Sequence, residues 1–152
     1  QPPFKIREVF YASVRKDPRF AVRMRNNGHF NEIPDSLGGH NTIWGWCHTF
    51  NKAIPSVKTF KTHPEFFAEI NGKRSLGVDV GQLCLSNPEV LRIVTDHTLK
   101  QLRANPGARV ISVSQNDNSD YCRCKKCSDK DWDSKACVLW PPKRQYYFRY
   151  RP

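Results

Sequence analysis

Three groups of residues have the chemistry to act on a substrate or to hold an ion. Asn116 and Asp117 stand side by side in Val113-Ser114-Gln115-Asn116-Asp117-Asn118, directly after an apolar run. A carboxylic acid there can protonate a leaving oxygen or stabilise developing positive charge, and the amide can fix a sugar hydroxyl, a pairing that suits acetal chemistry. The same residues also make an ordinary turn, and their pattern alone does not choose between the two. The second group is Trp44-Gly45-Trp46-Cys47-His48. His48 can donate to a substrate oxygen, and Trp44 or Trp46 can offer a platform to the apolar face of a sugar ring. A hydrogen-bonded buried histidine among core tryptophans is the simpler alternative.

Cys122, Cys124 and Cys127 form the third group, a C-x-C-x-x-C cluster. Thiolates at that density favour tetrahedral zinc. A fourth ligand is required, and Cys137 is the nearest candidate in the chain. The spacing is not one of the common zinc-finger patterns, so a local disulfide or a set of free thiols stays open. Cys47 and Cys84 lie inside apolar stretches and read as buried thiols.

The elements that must position these groups are legible in part. Ile6–Ala12 is rich in β-branched and aromatic residues and predicts a strand. Asp17-Pro18 opens a short helix, with Asp as cap and Pro in the first helical position, that runs to Arg25 before Asn26-Asn27-Gly28. A long irregular region from Phe30 to about Pro55 carries Trp44, Trp46 and His48, and loops of that length are usually functional. At His63-Pro64-Glu65-Phe66-Phe67, Pro64 and Glu65 can start a helical turn that buries both phenylalanines, with His63 as its cap.

The clearest signal follows. Gln82–Leu85 predicts a short buried strand, and Ser86-Asn87-Pro88-Glu89 a helix start with a capping box. Leu91, Val94, Thr98 and Leu102 recur at helical spacing, widened by Leu99, until Asn105-Pro106-Gly107 ends the helix. Val110–Ser114 predicts the next strand. Strand, helix and strand make a βαβ unit with parallel strands, whose chemistry belongs beyond their C-terminal ends, where Asn116 and Asp117 stand.

Composition sets the bounds. The chain has 152 residues, 38% hydrophobic and 12% aromatic, which suits one unit with a modest core and argues against disorder. No stretch approaches the roughly 18 apolar residues that a membrane span needs. The net charge of +11 raises nucleic acid as a partner. The charge is spread, however, without a run of more than two adjacent basic residues, so a solvated basic surface is the simpler account. The end, Trp140-Pro141-Pro142-Lys143-Arg144-Gln145-Tyr146-Tyr147-Phe148-Arg149-Tyr150-Arg151-Pro152, has no regular periodicity. It reads as an aromatic, basic tail able to stack on RNA bases or, as we favour, as a scrambled end from a shifted reading frame.

Taken together, five motifs in one order resemble glycoside hydrolase family 163, formerly a domain of unknown function. They are Gly45–Phe50, His63–Arg74, Gln82–Val90, Val113–Asp117 and Cys122–Cys127, and the resemblance runs from about Phe4 to Ser128, with Arg23, Arg25 and Asn26 included. The resemblance implies an α/β fold, a (β/α)8 TIM-type barrel, and an endo-β-N-acetylglucosaminidase that releases complex N-glycans from glycoproteins. It also implies a bacterial enzyme exported from the cytoplasm to the periplasm, the surface or the medium. Such enzymes are retaining and use substrate assistance: the sugar's own acetamido oxygen attacks the anomeric carbon, one carboxyl group orients it, and a second is the general acid/base. On that basis Asp117 is the expected acetamido-orienting carboxylate, and Asn116, His48, Trp46 and Arg25 the sugar contacts. The resemblance implies no cofactor; a structural zinc at Cys122, Cys124 and Cys127 rests on the cysteine spacing alone.

Two departures stand out. No second catalytic carboxylate is evident, and a full barrel needs about 250 residues and eight strands, of which about four are visible. The family character stops after Ser128, so we expect residues 1–128 to be a partial catalytic barrel and 129–152 an atypical, frame-shifted or truncated end. Two further readings compete: a carbohydrate-binding remnant without turnover, and a basic, zinc-stabilised nucleic-acid binder, which a steep loss of affinity with salt would reveal.

Overall fold

The computed structural model describes residues 5–77, 80–108 and 110–130. The expected change of character past Ser128 falls almost wholly on residues 131–152, and Cys137 with it, outside the described residues.

The chain opens without the predicted strand. Residues 5–11 join no sheet among the described residues and bond Asn27 instead: the Arg7 N–H donates to Asn27 Oδ1 at 2.9 Å, the Asn27 N–H to the Arg7 carbonyl at 3.1 Å and Asn27 Nδ2 to the Lys5 carbonyl at 3.0 Å. Two short helices follow, α1 (Ala12–Lys16) and α2 (Pro18–Arg23). Asp17 caps α2 as expected, accepting from the Phe20 N–H at 2.9 Å, with Pro18 in the first turn. Val14, Ala21 and Ile33 form a small core under them.

The long irregular region contains β1 (Ile43–Trp44), and beyond it come α3 (Phe50–Ala53) and α4 (Ser56–Thr59). Pro64–Phe66 makes a single 3-10 turn that buries Phe66 and Phe67, while His63 bonds Glu65 through Nδ1 at 3.0 Å and does not cap the turn. β2 (Glu69–Ile70) and β3 (Lys73–Arg74) form a tight antiparallel hairpin. α5 (Pro88–Ala104) is the long helix predicted from the sequence, ending just before Asn105-Pro106-Gly107. β4 (Val110–Ile111) and α6 (Lys125–Ser128) complete the described elements.

Asn87 alone caps α5: its Oδ1 accepts from the Glu89 N–H at 2.9 Å and the Val90 N–H at 3.4 Å. The expected Ser–Glu capping box does not form, because Glu89 pairs with Arg92 and Ser86 turns toward the cysteines. The buried face of α5 is also rotated from the expected stripe. Val90 is fully buried and Ile93 and Val94 pack on the main core of Phe50, Ile54, Phe66, Phe67 and Leu83, whereas Leu91, Leu99 and Leu102 are exposed.

The parallel pairing differs from the predicted βαβ unit. β4 pairs in parallel with β1, Ile43 opposite Val110 and Trp44 opposite Ile111. Leu83 instead makes an antiparallel bridge to Phe67, with the Ala68 N–H donating to the Gln82 carbonyl and the Cys84 N–H to the Phe66 carbonyl, both at 2.8 Å. The physical reason lies in the side chains of that segment: Leu83 fills the main core, while Gln82 and Cys84 are drawn to other partners described below. Among the described residues no helix is long and apolar enough to cross a membrane.

Candidate functional site: a strand-end loop beside a four-cysteine centre

Because β1 and β4 run parallel, their C-terminal ends lie side by side, and each runs into one of the loops singled out for chemistry. The two loops are stitched together where they leave the strands. The Thr49 and Phe50 N–H groups both donate to the Ser114 carbonyl, at 3.0 and 3.1 Å, and the Ser114 N–H donates to Thr49 Oγ1 at 2.8 Å. His48 sits exposed at this junction with φ 54°, a left-handed backbone that costs a non-glycine residue about 1–2 kcal/mol and that turns the ring toward the second loop. Its Nδ1 lies 3.0 Å from the Gln115 carbonyl. A carbonyl only accepts, so Nδ1 is the donor of this bond, and Nε2 is left for another partner.

Asp117 is exposed on this rim, two residues beyond Gln115. Its neighbour Asn116 is not a surface residue: it is 3% exposed, and its Nδ2 donates to the Gly81 carbonyl. Its side chain is enclosed by the protein and anchors the loop, so Asn116 acts on the loop from within. Trp46 is half-buried, stacked against His29 at a centroid distance of 6.2 Å and edge-on to Phe30 at 4.9 Å. Arg25 is exposed at the end of α2, and among the described residues no hydrogen bond or ion pair joins it to the strand-end loop.

Gln82 was not evident from the sequence, yet it holds the loop from behind. It is 3% exposed. Its Nε2 donates to the Asn116 carbonyl at 2.7 Å and to the carbonyl and Oδ1 of Asn118 at 3.0 Å, and its Oε1 accepts from the Asn116 N–H at 3.2 Å. A lone amide inside the apolar run Gln82-Leu83-Cys84-Leu85 was the available signal, because a buried polar side chain has to be matched. Gln82→Leu is expected to lower stability by about 1–3 kcal/mol, since it leaves the Asn116 N–H buried without its acceptor. Amide exchange should quicken at residues 116–118 in that variant; an unchanged unfolding midpoint and exchange rate would refute the role.

The cysteines converge on the other side of Gln82. Cys84, Cys122, Cys124 and Cys127 place their four sulfurs within 4.8 Å of one another. Cys84 is thus the fourth sulfur, where the sequence suggested Cys137 and read Cys84 as an isolated buried thiol. The Cys84 sulfur lies 3.8 Å from that of Cys124 and 3.9 Å from that of Cys127. A disulfide would need about 2.05 Å, so these are separate thiols. Around a single ion with metal–sulfur bonds of about 2.3 Å, tetrahedral geometry sets sulfur–sulfur edges of about 3.8 Å.

The surroundings stabilise negative charge on sulfur. The Glu69 N–H donates to Cys122 Sγ at 3.3 Å, and Arg74 Nη1 donates to the same sulfur at 3.5 Å and to the Phe67 carbonyl at 2.8 Å. Arg74 is itself held by Glu69 at 3.5 Å. Cys127 donates to Ser86 Oγ at 3.1 Å. The hydrogen bond from Cys122, helped by Ser86 and Arg74 and opposed by burial, pulls the Cys84 thiol down to about 4. The same bond to Cys84 pushes Cys122 up, and burial adds to it. Burial also raises Cys127. At Cys124 burial is the largest single influence and acts upward, but hydrogen bonds from the Cys127 backbone, Ser86 and Cys122 outweigh it and lower the thiol.

A hollow of about 440 Å³ opens beneath the strand pair, between it and α5, lined in part by Trp44, Trp46, His97 and Val113. Its wall is mostly apolar, with Trp44 Nε1 already donating to Gln101 Oε1 at 3.0 Å, so it suits packing better than a sugar.

A family model described as a domain of unknown function (DUF4838) matches residues 1–136. No curated protein and no solved structure matches the chain.

Proposed function

The chain belongs to the DUF4838 family, and on that premise we propose that it carries the first part of a (β/α)8-barrel glycoside hydrolase domain of the endo-β-N-acetylglucosaminidase type. Its substrates are glycoproteins bearing complex N-glycans, met outside the cytoplasm. The observation that carries the reading is the placement of an exposed carboxylate, Asp117, and of His48 on the loops that leave the adjacent C-terminal ends of two parallel strands, His48 Nδ1 bonding the Gln115 carbonyl of the Asp117 loop. That is where parallel α/β folds place their chemistry. The resemblance of the ordered motifs to glycoside hydrolase family 163 suggests the substrate class. Exposed apolar side chains on the outside of the unit, Leu91, Leu99 and Leu102 on α5 and Val113 after β4, fit surfaces that the rest of a barrel would cover.

Asp117 then orients the substrate's acetamido group while its oxygen attacks the anomeric carbon, and its charge stabilises the cationic ring that forms. His48 Nε2 faces a sugar hydroxyl, and Trp46 and Arg25 extend the contact surface. A second carboxylate, outside the motifs described here, protonates the leaving oxygen. Gln82 and Asn116 act from behind as positioning residues. The four-thiol centre holds a structural zinc in this reading, and coordination would also keep the thiols from oxidising in an exported protein.

The test is mass-spectrometric detection of glycans released from such a glycoprotein by an intact barrel built around these residues, with the 152-residue chain assayed beside it. Release by the barrel supports the reading. A folded barrel that releases nothing overturns it, and sugar binding without release would favour a carbohydrate-binding remnant in its place.

A further inference from the structure

We infer that Cys84 is the fourth ligand of a closed tetrathiolate zinc centre with Cys122, Cys124 and Cys127, and that this centre is the tie that holds the Gln115–Tyr121 loop against the core. The inference rests on the zinc reading above and is independent of the hydrolase reading.

Three chain segments meet at the centre, and backbone pairing brings them there before any ion is considered. Residues 66–69 lie in the middle: they bond Gln82 and Cys84 on one side, and the Glu69 carbonyl accepts from the Arg123 N–H at 2.8 Å on the other. Cys84 and Cys122 are thereby delivered from opposite sides of one strand. Cys124 and Cys127 follow on a tight turn, in which the Cys127 and Ser128 N–H groups donate to the Cys124 carbonyl at 3.0 and 2.9 Å. Four sulfurs fill all four positions of a tetrahedral ion and leave none for water or substrate, which makes the centre structural and not catalytic. The sulfurs also lie too close together for a cluster of several iron ions between them, and an all-thiolate tetrahedral set fits a single zinc ion.

The electrostatics agree. Each thiol gives up its proton when it binds, so zinc with four thiolates carries a net charge of −2. Arg74, only 27% exposed in its side chain, sets a guanidinium against Cys122, the Glu69 N–H adds a neutral hydrogen bond to the same sulfur, and the Ser86 hydroxyl lies 3.4 Å from the Cys84 sulfur and 3.6 Å from that of Cys124. Partners of this kind around metal ligands fix their orientation and tune their basicity.

The coupling to the loop follows from where the ligands fall in the chain. Cys122 closes the loop that carries Asp117, and Cys84 lies two residues from Gln82, whose amide grips Asn116 and Asn118. At its start the loop is already pinned by Thr49 to Ser114. Its far end and its inner grip both depend on segments that the ion holds together. Among the described residues the Cys84 and Cys122–Cys127 segments are otherwise linked through backbone hydrogen bonds to residues 66–69, through Arg74 and through sulfur and hydroxyl contacts, so loss of the ion weakens the loop's far anchor.

The experiment uses the wild-type 152-residue chain, purified and measured by native mass spectrometry, then labelled by pulsed thiol alkylation with and without a zinc chelator. One zinc per chain is expected, with Cys84, Cys122, Cys124 and Cys127 labelled at least about tenfold more slowly before chelation than after, and with Cys47 and Cys137 unaffected. Amide exchange across residues 115–121 should rise on chelation. Cobalt(II) substitution then compares Cys84→Ser with Cys137→Ser: the first should weaken the thiolate-to-cobalt absorption and the second leave it intact. If Cys84→Ser does not fold, the wild-type labelling decides. Zinc bound with Cys84 unprotected, or with Cys137 protected in its place, overturns the assignment while the zinc reading stands. Protected thiols with unchanged exchange at 115–121 overturn the tie. No bound zinc and no protection of any of the four thiols defeats the zinc reading itself, and the inference with it.

Discussion

Asp117→Asn, introduced into an intact barrel containing these residues, is expected to slow glycan release by about 100- to 10,000-fold, the range over which a positioned carboxyl group acts in such chemistry. The substitution keeps the size and shape of the side chain and removes only its charge. A carboxylate that orients the acetamido group and stabilises positive charge on the reacting sugar acts mainly in the transition state, so the loss should appear in kcat with little change in KM. Folding should be unaffected. Asp117 is exposed, with its neighbours Asn116 and Asn118 holding the loop through Gln82, and surface substitutions of this kind change stability by within about 0.5 kcal/mol. An equal thermal midpoint for variant and parent would therefore isolate the chemical effect. Undiminished release by Asp117→Asn would remove this residue from the mechanism, and with it the strongest link between the strand-end geometry and glycan cleavage.

Phe67→Ala is expected to lower the free energy of unfolding by about 3–5 kcal/mol, the range for deleting a fully enclosed aromatic ring. Phe67 has no exposed surface and meets Phe60 edge-on at 5.4 Å in the main core. It also has a backbone role: it bridges Leu83, and its carbonyl accepts from Arg74. Loss of the ring should loosen the strand that carries Gln82 on one side and the thiol centre on the other. Phe67→Leu, which leaves a smaller void, should cost distinctly less. Denaturant titration of the three proteins measures both effects. A loss under about 1 kcal/mol for Phe67→Ala would show that this core does not organise the unit.

Helices α2 and α5 were legible because their signals are local, whereas the short α1, α3, α4 and α6 have no side-chain cap and were not read from the sequence. Asp17-Pro18 and Asn87-Pro88 mark helix starts through contacts only two or three residues away, and Asn105-Pro106-Gly107 marks an end through backbone restrictions of its own residues. The burial of Phe66 and Phe67 after Pro64 belongs to the same class. The sequence also marked the two loops that the structure brings together, His48 and Asp117, because unusual polar residues directly after apolar runs stand out in one dimension.

Strand partners were not legible. Ile6–Ala12 has strand composition but finds its hydrogen bonds in Asn27, and Gln82–Leu85 turns antiparallel to Phe67 while β4 takes β1 as its neighbour. A strand's own residues set its tendency to extend; which edge it joins depends on the competition among all available surfaces. The cysteines show the same division. Their number and the C-x-C-x-x-C spacing are properties of the sequence, and they announced a metal-binding density. Which thiol completes the set was decided in three dimensions: Cys84, far away along the chain in an apolar run, is carried to the others by pairing on either side of residues 66–69. Asn116 and Gln82 followed suit, since an amide's role as sugar contact or buried anchor depends on what encloses it. Local caps determined α2 and α5, and composition the chemistry on offer; long-range pairing, which no short stretch of sequence contains, decided which of those groups meet.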